Sequence, residues 1–131
     1  MREPVWMPTE DCLSFHEKLL ARFGGSSGVR DRGPLESALA RPRHLFSSEQ
    51  PSLFELAAVY AHGIVKNHPF LDGNKRTGLL AAAVFLEVNG KRLIASEEVA
   101  VVQTLALAAG ARTAGEFALW LEEVCVNEEA P

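Results

Sequence analysis

Apolar residues recur every three or four positions along most of this chain, a spacing typical of helices that bury one face. Capping and turn residues divide the pattern into segments. A first helix is predicted from Thr9, as a cap, to Gly24, because glycine commonly follows the last turn of a helix. A second is predicted from Pro34 to Pro42, because proline suits a first turn and interrupts a helix elsewhere.

Four further helices are predicted in the rest of the chain. The third covers residues 52–67 and opens with a capping box of the form S-x-x-E. The fourth, over about residues 74–89, is apolar on most of its circumference, so we expect it to be central and buried. The fifth covers residues 96–110, and the sixth begins with a second capping box at Thr113.

Alternating patterns typical of strands are almost absent, apart from a short extended stretch predicted at residues 91–95. The fold class is therefore predicted to be all-α, a compact bundle of about six helices. Residues 42–51 are predicted to form a connector, and the acidic tail from about residue 126 is expected to fray. With 131 residues and no recognisable repeat or linker, we predict a single domain over residues 1–131.

Composition narrows the classes of function. Apolar residues make up 47% of the chain, as in an ordinary globular protein, and 17 acidic against 13 basic residues give a net charge of −4. That balance argues against non-specific binding to nucleic acid, which needs a broad cationic surface. His16, His44 and His62 are scattered and, like Cys12 and Cys125, show no metal-binding spacing, so we expect reduced thiols. No stretch resembles a membrane span or a secretory leader, and a soluble cytoplasmic protein is expected.

The residues of greatest chemical interest lie between the two most apolar predicted helices, in residues 68–78 (HPFLDGNKRTG). The N-terminus of the helix that follows presents unpaired N–H groups and a positive dipole end, which together favour a phosphate. Gly73 lets the backbone approach a ligand, and Asn74 can cap the helix or donate its amide to a phosphate oxygen. Lys75 and Arg76 add two cations at the same terminus.

Two further side chains in this segment suit phosphate chemistry. Asp72 offers the hard oxygen that Mg²⁺ prefers, and the imidazole of His68 could accept a proton from an attacking hydroxyl. With the cationic terminus they supply the base, metal ligand and cradle of phosphoryl or nucleotidyl transfer. The same residue types also suit a structural turn, because Asp-Gly-Asn favours turns and a Lys-Arg pair usually faces solvent. Residue types alone leave both interpretations open.

The segment resembles the signature of the Fic/Doc family, which has the form H-x-F-x-[DE]-[GA]-N-[GK]-R, and every specified position is matched at residues 68–76. Likeness to the short Doc (death-on-curing) branch of that family extends over nearly the whole chain. It is carried by residues 23–25, 28–31, 35–38, 41–42, 85–90 and 120–121. The resemblance implies the all-α Fic/Doc fold, with a central buried helix after the motif loop.

The resemblance also implies a role for each residue of the signature. His68 would be the base or positioner for a target hydroxyl, Asp72 would bind Mg²⁺, and Phe70 would be a core anchor that holds the loop. The implied catalytic residues are therefore His68, Asp72, Lys75 and Arg76. The implied phosphate cradle consists of Gly73, Asn74, Lys75 and Arg76.

By the same resemblance, the chain would bind ATP with Mg²⁺ and transfer the γ-phosphate to a hydroxyl of a protein target, elongation factor Tu, which would arrest translation. Lys75 and Leu79 favour phosphate transfer, because ordinary Fic adenylyltransferases usually have Gly and Arg there and Doc shares both differences. Gly73 stands where Doc has Ala, which leaves AMP transfer open as an alternative. A catalytically weak binding module is the second alternative.

The resemblance bears on partners as well. The sequence lacks the S/T-x-x-x-E-[GN] motif with which some family members inhibit themselves, so a small Phd-like antitoxin is the expected inhibitor. Residues 42–51 take the place of the family's target-positioning flap, and His44, Leu45 and Phe46 are candidates for docking a target strand by β-augmentation. Arg30 is expected in a structural turn or ion pair, with a role at the edge of the site as the alternative.

Overall fold

Side-chain caps accept hydrogen bonds from free backbone N–H groups at the start of four of the six helices in residues 2–128. The computed structural model describes residues 2–128, and both predicted capping boxes are formed. In the first, Ser52 Oγ accepts from the Glu55 N–H at 3.1 Å and Glu55 Oε1 accepts from the Ser52 N–H at 3.0 Å. Residues 2–128 form, in chain order, α1 Thr9–Phe23, α2 Arg32–Ser48, α3 Leu53–Asn67, α4 Asn74–Val88, β1 Lys91–Leu93, α5 Glu97–Ala109, α6 Ala114–Val124 and β2 Cys125–Asn127.

The centre of the fold is shared by α3 and α4, which pack against each other, while α2 and α6 pack on α3 and α1 packs on α4. Two glycines permit this close packing. A Cβ on Gly63 would lie 3.0 Å from Ala38 Cβ, and a Cβ on Gly78 would lie 3.0 Å from Val65 Cγ1 and 3.1 Å from the Ala61 carbonyl oxygen. The predicted all-α class with six helices is confirmed, and the helix after the motif loop is central together with α3.

The second helix is longer than predicted, because α2 continues through the buried Pro42 to Ser48. Proline inside a helix costs about 3 kcal/mol, so packing must compensate. Leu45 and Phe46, in the continued part, pack against the core, and the Phe46 ring meets Trp6 edge-on with centroids 5.6 Å apart. The prediction that Pro42 ends the helix and starts a connector was therefore wrong, since tertiary contacts overrode the local preference.

Two smaller expectations also need correction. The start of the tail does not fray, because β2 pairs antiparallel with β1, with Arg92 opposite Val126, and the Glu128 N–H donates to the Gly90 carbonyl at 2.9 Å. Residues 129–131 of the predicted tail lie outside the described residues. Thr9 is the first residue of α1 and not its cap, since Pro8 occupies the cap position. Within residues 2–128, no helix has the length and apolarity needed to cross a bilayer.

Candidate active site

The motif loop, residues 68–73, joins the end of α3 to the start of α4. His68 ends α3 in the left-handed conformation, with φ 53° and ψ 51°, and is the one non-glycine residue between 2 and 128 with a positive φ. Such a conformation is strained for a side chain with a Cβ, so surrounding contacts must hold it. The His68 side chain itself is exposed and lines a cleft.

A segment that precedes α2, residues 28–31, holds the outer side of the motif loop, and we call it the brace. The Arg30 side chain donates from Nε to the His68 carbonyl at 3.1 Å and from Nη2 to the Asn67 carbonyl at 3.4 Å. The Arg30 N–H donates to the Pro69 carbonyl at 2.7 Å, and Val29 pairs with Phe70 in an isolated β-bridge. Arg30 therefore lies at the edge of the site, where it fixes the backbone that carries His68.

The inner side of the loop is held by Phe70 and Asn74. The Phe70 side chain is fully buried, and Asn74 is 4% exposed. Asn74 Oδ1 accepts from the Phe70 N–H at 3.0 Å, and Asn74 Nδ2 donates to the Phe70 carbonyl at 3.0 Å. Both polar ends of the Asn74 amide are thus engaged by the loop backbone, which leaves its own N–H group at the start of α4.

The Asp72 carboxylate is exposed but held by backbone groups on both oxygens. Oδ1 accepts from the Gly73 N–H at 2.9 Å, and Oδ2 accepts from the Ser26 N–H at 3.3 Å. The chain after α1 passes so close that a Cβ on Gly25 would lie 2.9 Å from Oδ2. Across the described residues 2–128, no three His, Cys, Asp or Glu side chains gather as a metal site. A cation at Asp72 would therefore take its other ligands from phosphate or water, as Mg²⁺ commonly does.

The start of α4 presents donors and positive charge together. Gly73 occupies the cap position with φ 78° and supplies no side chain to it. Within the part of the chain that the structure describes, the N–H groups of Asn74, Lys75 and Arg76 have no hydrogen-bond partner. The side chains of Lys75 and Arg76 are exposed beside them. Free N–H groups, the helix dipole and two cations make this terminus suited to a phosphate group.

The motif residues open into one cleft of about 310 Å³. Its second wall comes from α5, a helix that the sequence pattern did not connect with the site. A possible signal was the apolar character of α5, whose Val101 and Leu105 remain more than two fifths exposed. The residues that line the cleft are His68, Leu71, Asp72, Gly73, Asn74, Lys75, Arg76, Leu79, Val101, Thr104 and Leu105.

A second histidine lies behind the loop. His16 of α1 is 1% exposed, and its ring stacks on Phe70 with centroids 3.8 Å apart and planes 10° apart. Its Nε2 lies 2.8 Å from the Asp72 carbonyl oxygen. The sequence pattern assigned His16 no role. Its position could have indicated a role, because His16 lies one turn after Cys12 on the buried face of a predicted helix. A polar ring buried there needs a hydrogen-bond partner.

The other residues considered from the sequence lie away from this chemistry. His44, Leu45 and Phe46 belong to α2, and a helix has no free strand edge, so their docking of a target by β-augmentation was wrong.

His62 lies half-buried on α3. Burial lowers the pKa of His62, and the nearby charges of Arg41 and Lys66 lower it further. These surroundings favour the neutral form of the His62 imidazole.

Fold and site together define a class: a helical protein whose loop between two central helices places a histidine, an aspartate and two cations around one cleft. The chain belongs to the Fic/Doc family, since the model described as "Fic/DOC family" matches residues 6–86, from before α1 into α4. It is 35% identical over 92 residues to "Protein kinase doc" of Escherichia phage P1, covering 70% of this chain and 73% of that protein. It is 42% identical over 79 residues to "Toxin Doc" of Mycolicibacterium smegmatis, covering 59% of this chain and 61% of that protein.

Proposed function

We propose that this chain is a Doc-like toxin that transfers the γ-phosphate of Mg-ATP to a hydroxyl of a protein target and so arrests translation. The observation that carries the proposal is that His68, Asp72 and the cationic start of α4 line one cleft. The names of the two relatives support it, because one is called a protein kinase and the other a toxin.

His68 is the proposed base. Its exposed ring at the mouth of the cleft can take the proton of a hydroxyl that a protein target presents. The hydroxyl oxygen then forms a bond to the γ-phosphorus, and the bond from that phosphorus to the bridging oxygen breaks. ADP leaves with the electron pair of the broken bond, and the proton remains on His68.

Asp72 is the proposed ligand of Mg²⁺. Each of its oxygens accepts one backbone N–H, and the remaining lone pairs of an exposed carboxylate stay available to a hard cation. When bound, Mg²⁺ would supply positive charge against the phosphate oxygens. The donor set therefore fits the metal. The chain's own contribution is to hold the carboxylate still through Gly73 and Ser26.

The start of α4 is the proposed phosphate cradle. Because the Asn74 side chain is occupied by Phe70, we assign the binding predicted for Asn74 to its backbone N–H, together with those of Lys75 and Arg76. Lys75 adds a point charge and Arg76 a planar fork that can bind two phosphate oxygens at once. Gly73 takes the positive φ of 78° that glycine adopts without strain, and this turns the chain into the start of α4.

Two protein partners complete the proposal. The target is elongation factor Tu, as the likeness to the Doc branch implies. The inhibitor is a small Phd-like antitoxin, since a toxin that carries no inhibitory motif of its own needs one in trans. The chain's mild acidity fits protein partners better than a nucleic acid.

The test is to incubate the purified chain with Mg-ATP and elongation factor Tu and to weigh the intact target by mass spectrometry. A phosphate-sized gain in mass is expected. It should be lost in His68→Ala and strongly reduced in Asp72→Asn, and it should be unchanged in His44→Gln, which alters an exposed residue of α2. A gain of adenylate size would identify an AMP transferase. No gain on any protein of a cell lysate would identify a binding module.

A further inference from the structure

The buried face of α1 brings one imidazole against the back of the motif loop. His16 follows Cys12 by one helical turn, and both are buried. The Asp72 carbonyl oxygen lies 2.8 Å from Nε2 of the ring, within hydrogen-bond distance. A carbonyl oxygen only accepts, so Nε2 must carry the hydrogen and the ring must be the donor. The bond ties α1 to a residue 56 positions later in the chain.

The peptide group that receives this bond also holds the Asp72 side chain. The carbonyl of Asp72 and the N–H of Gly73 belong to one rigid plane, so a partner that fixes one fixes the direction of the other. The Gly73 N–H donates to Asp72 Oδ1 at 2.9 Å. We propose that His16 is a positioning residue: through this plane it orients the Asp72 carboxylate and the start of α4. The consequence for catalysis rests on the function proposed above.

The stack on Phe70 sets the ring in the orientation that this bond needs. The rings of His16 and Phe70 are nearly parallel, and the backbone of Phe70 is held on both sides by Asn74. His16 therefore contacts the loop both at its buried anchor and at its proposed metal ligand. At 1% exposure it lies behind the cleft and does not line it.

The competing interpretation is that His16 only fills space. A flat ring without nitrogen would serve that purpose, and burying an imidazole costs free energy unless its N–H finds a partner. The two interpretations therefore separate in substitutions that keep one contact and remove the other. His16→Phe keeps the stack and removes the donor. His16→Gln loses the ring but can place an amide N–H near the position of Nε2. His44→Gln is the matched control on an exposed histidine.

The first readings use the ligand-free chain and nuclear magnetic resonance. His16 should be the tautomer with hydrogen on Nε2, and the Gly73 amide should be protected from exchange with solvent. In His16→Phe, exchange of that amide should accelerate by about tenfold, and in His16→Gln it should stay within about twofold of the native rate. Hydrogen found on Nδ1 alone, or an unchanged Gly73 amide in His16→Phe, would overturn the proposal.

The second reading is binding of Mg-ATP by calorimetry. His16→Phe should weaken it by about tenfold and His16→Gln should largely restore it, while both unfold within a few degrees of the native chain. If both variants lost affinity for Mg-ATP equally, and in proportion to their loss of thermal stability, the role of His16 would be packing alone. That result would contradict the proposal. If the native chain bound no nucleotide, the proposed function would fail, and the tautomer and amide readings would still decide the role of His16.

Discussion

The guanidinium of Arg76 lies over the ring of Phe23, with Cζ 4.4 Å from the ring centroid. The adjacent Arg22 brings its own Cζ to 5.0 Å from the same centroid. Phe23 is 39% exposed at the end of α1, so part of its ring lies outside the packed interior. Its ring serves as a flat support that keeps Arg76 beside the start of α4, where a phosphate is proposed to bind.

Removing this support should weaken nucleotide binding. Phe23→Ala is expected to raise the dissociation constant of Mg-ATP by about two- to fivefold, since an exposed cation–π contact is worth about 0.5–1 kcal/mol. Phe23→Tyr should leave it nearly unchanged. Calorimetric titration measures both, with Leu119→Ala as the control, because Leu119 is a 67% exposed residue of α6. Equal affinities of Phe23→Ala and the native chain would show that Arg76 needs no support.

Because the backbone at His68 is strained, replacing this residue by glycine should abolish activity without lowering stability. In His68→Gly, relief of the left-handed strain opposes the greater freedom of glycine in the unfolded chain, so the free energy of unfolding should be unchanged or higher by up to about 1 kcal/mol. Phosphate transfer should be abolished. His44→Gly, on an exposed turn of α2, should instead lower the free energy of unfolding by about 0.4 kcal/mol, the difference in helix propensity between histidine and glycine. Urea denaturation gives both values, and a marked loss of stability in His68→Gly would contradict the strain.

Helix packing behind the motif depends on Gly78. Because an added Cβ would press on Val65 and on the Ala61 carbonyl, Gly78→Ala should lower the free energy of unfolding by about 1–3 kcal/mol. Gly115→Ala is the matched control. The nearest atom to its added Cβ is Thr113 Oγ1 at 3.8 Å, so this change should raise stability by about 0.5 kcal/mol. Similar values for the two variants in urea denaturation would mean that α3 and α4 can separate at little cost.

The two thiols should react very differently. Burial raises the pKa of the Cys12 thiol from 9.0 to about 12, whereas Cys125 is only partly buried. At pH 8, a thiol reagent should label Cys125 in the folded chain and Cys12 only after unfolding. The raised pKa stabilises the fold fully below about pH 9, and this contribution is lost as pH rises toward 12. Rapid labelling of Cys12 in the folded chain at pH 8 would exclude this burial.

Local chemistry made the two capping boxes and the end of α3 at the motif loop predictable. The box of Ser52 and Glu55 needs only residues three apart, and the chain turns at His68 because Pro69 follows. The features that the sequence did not predict come from contacts between residues far apart in the chain. The continued part of α2 packs against the core, and its Phe46 meets Trp6, which lies 36 residues before Pro42. The pairing of β1 with β2 likewise joins segments that α5 and α6 separate.

The candidate site shows the same division. Its chemical groups stand within nine consecutive residues, so residue types and the family resemblance could identify them. Their supports come from elsewhere: His16 and Ser26 meet Asp72 across 56 and 46 positions, and α5 supplies the far wall of the cleft. No periodicity in the sequence reports such contacts, because they exist only once the helices have packed.

Because the brace holds the motif loop, the signature alone does not determine the geometry of the site. Residues 68–78 do not form a self-sufficient cassette, because His68 is kept in its strained conformation by Arg30, from a segment nearly forty positions upstream. If these residues alone were grafted between two helices of another protein, the backbone at the histidine would adopt an unstrained turn. Conversely, an insertion in the short link between α1 and α2 would abolish the activity of the site although no residue of the signature had changed.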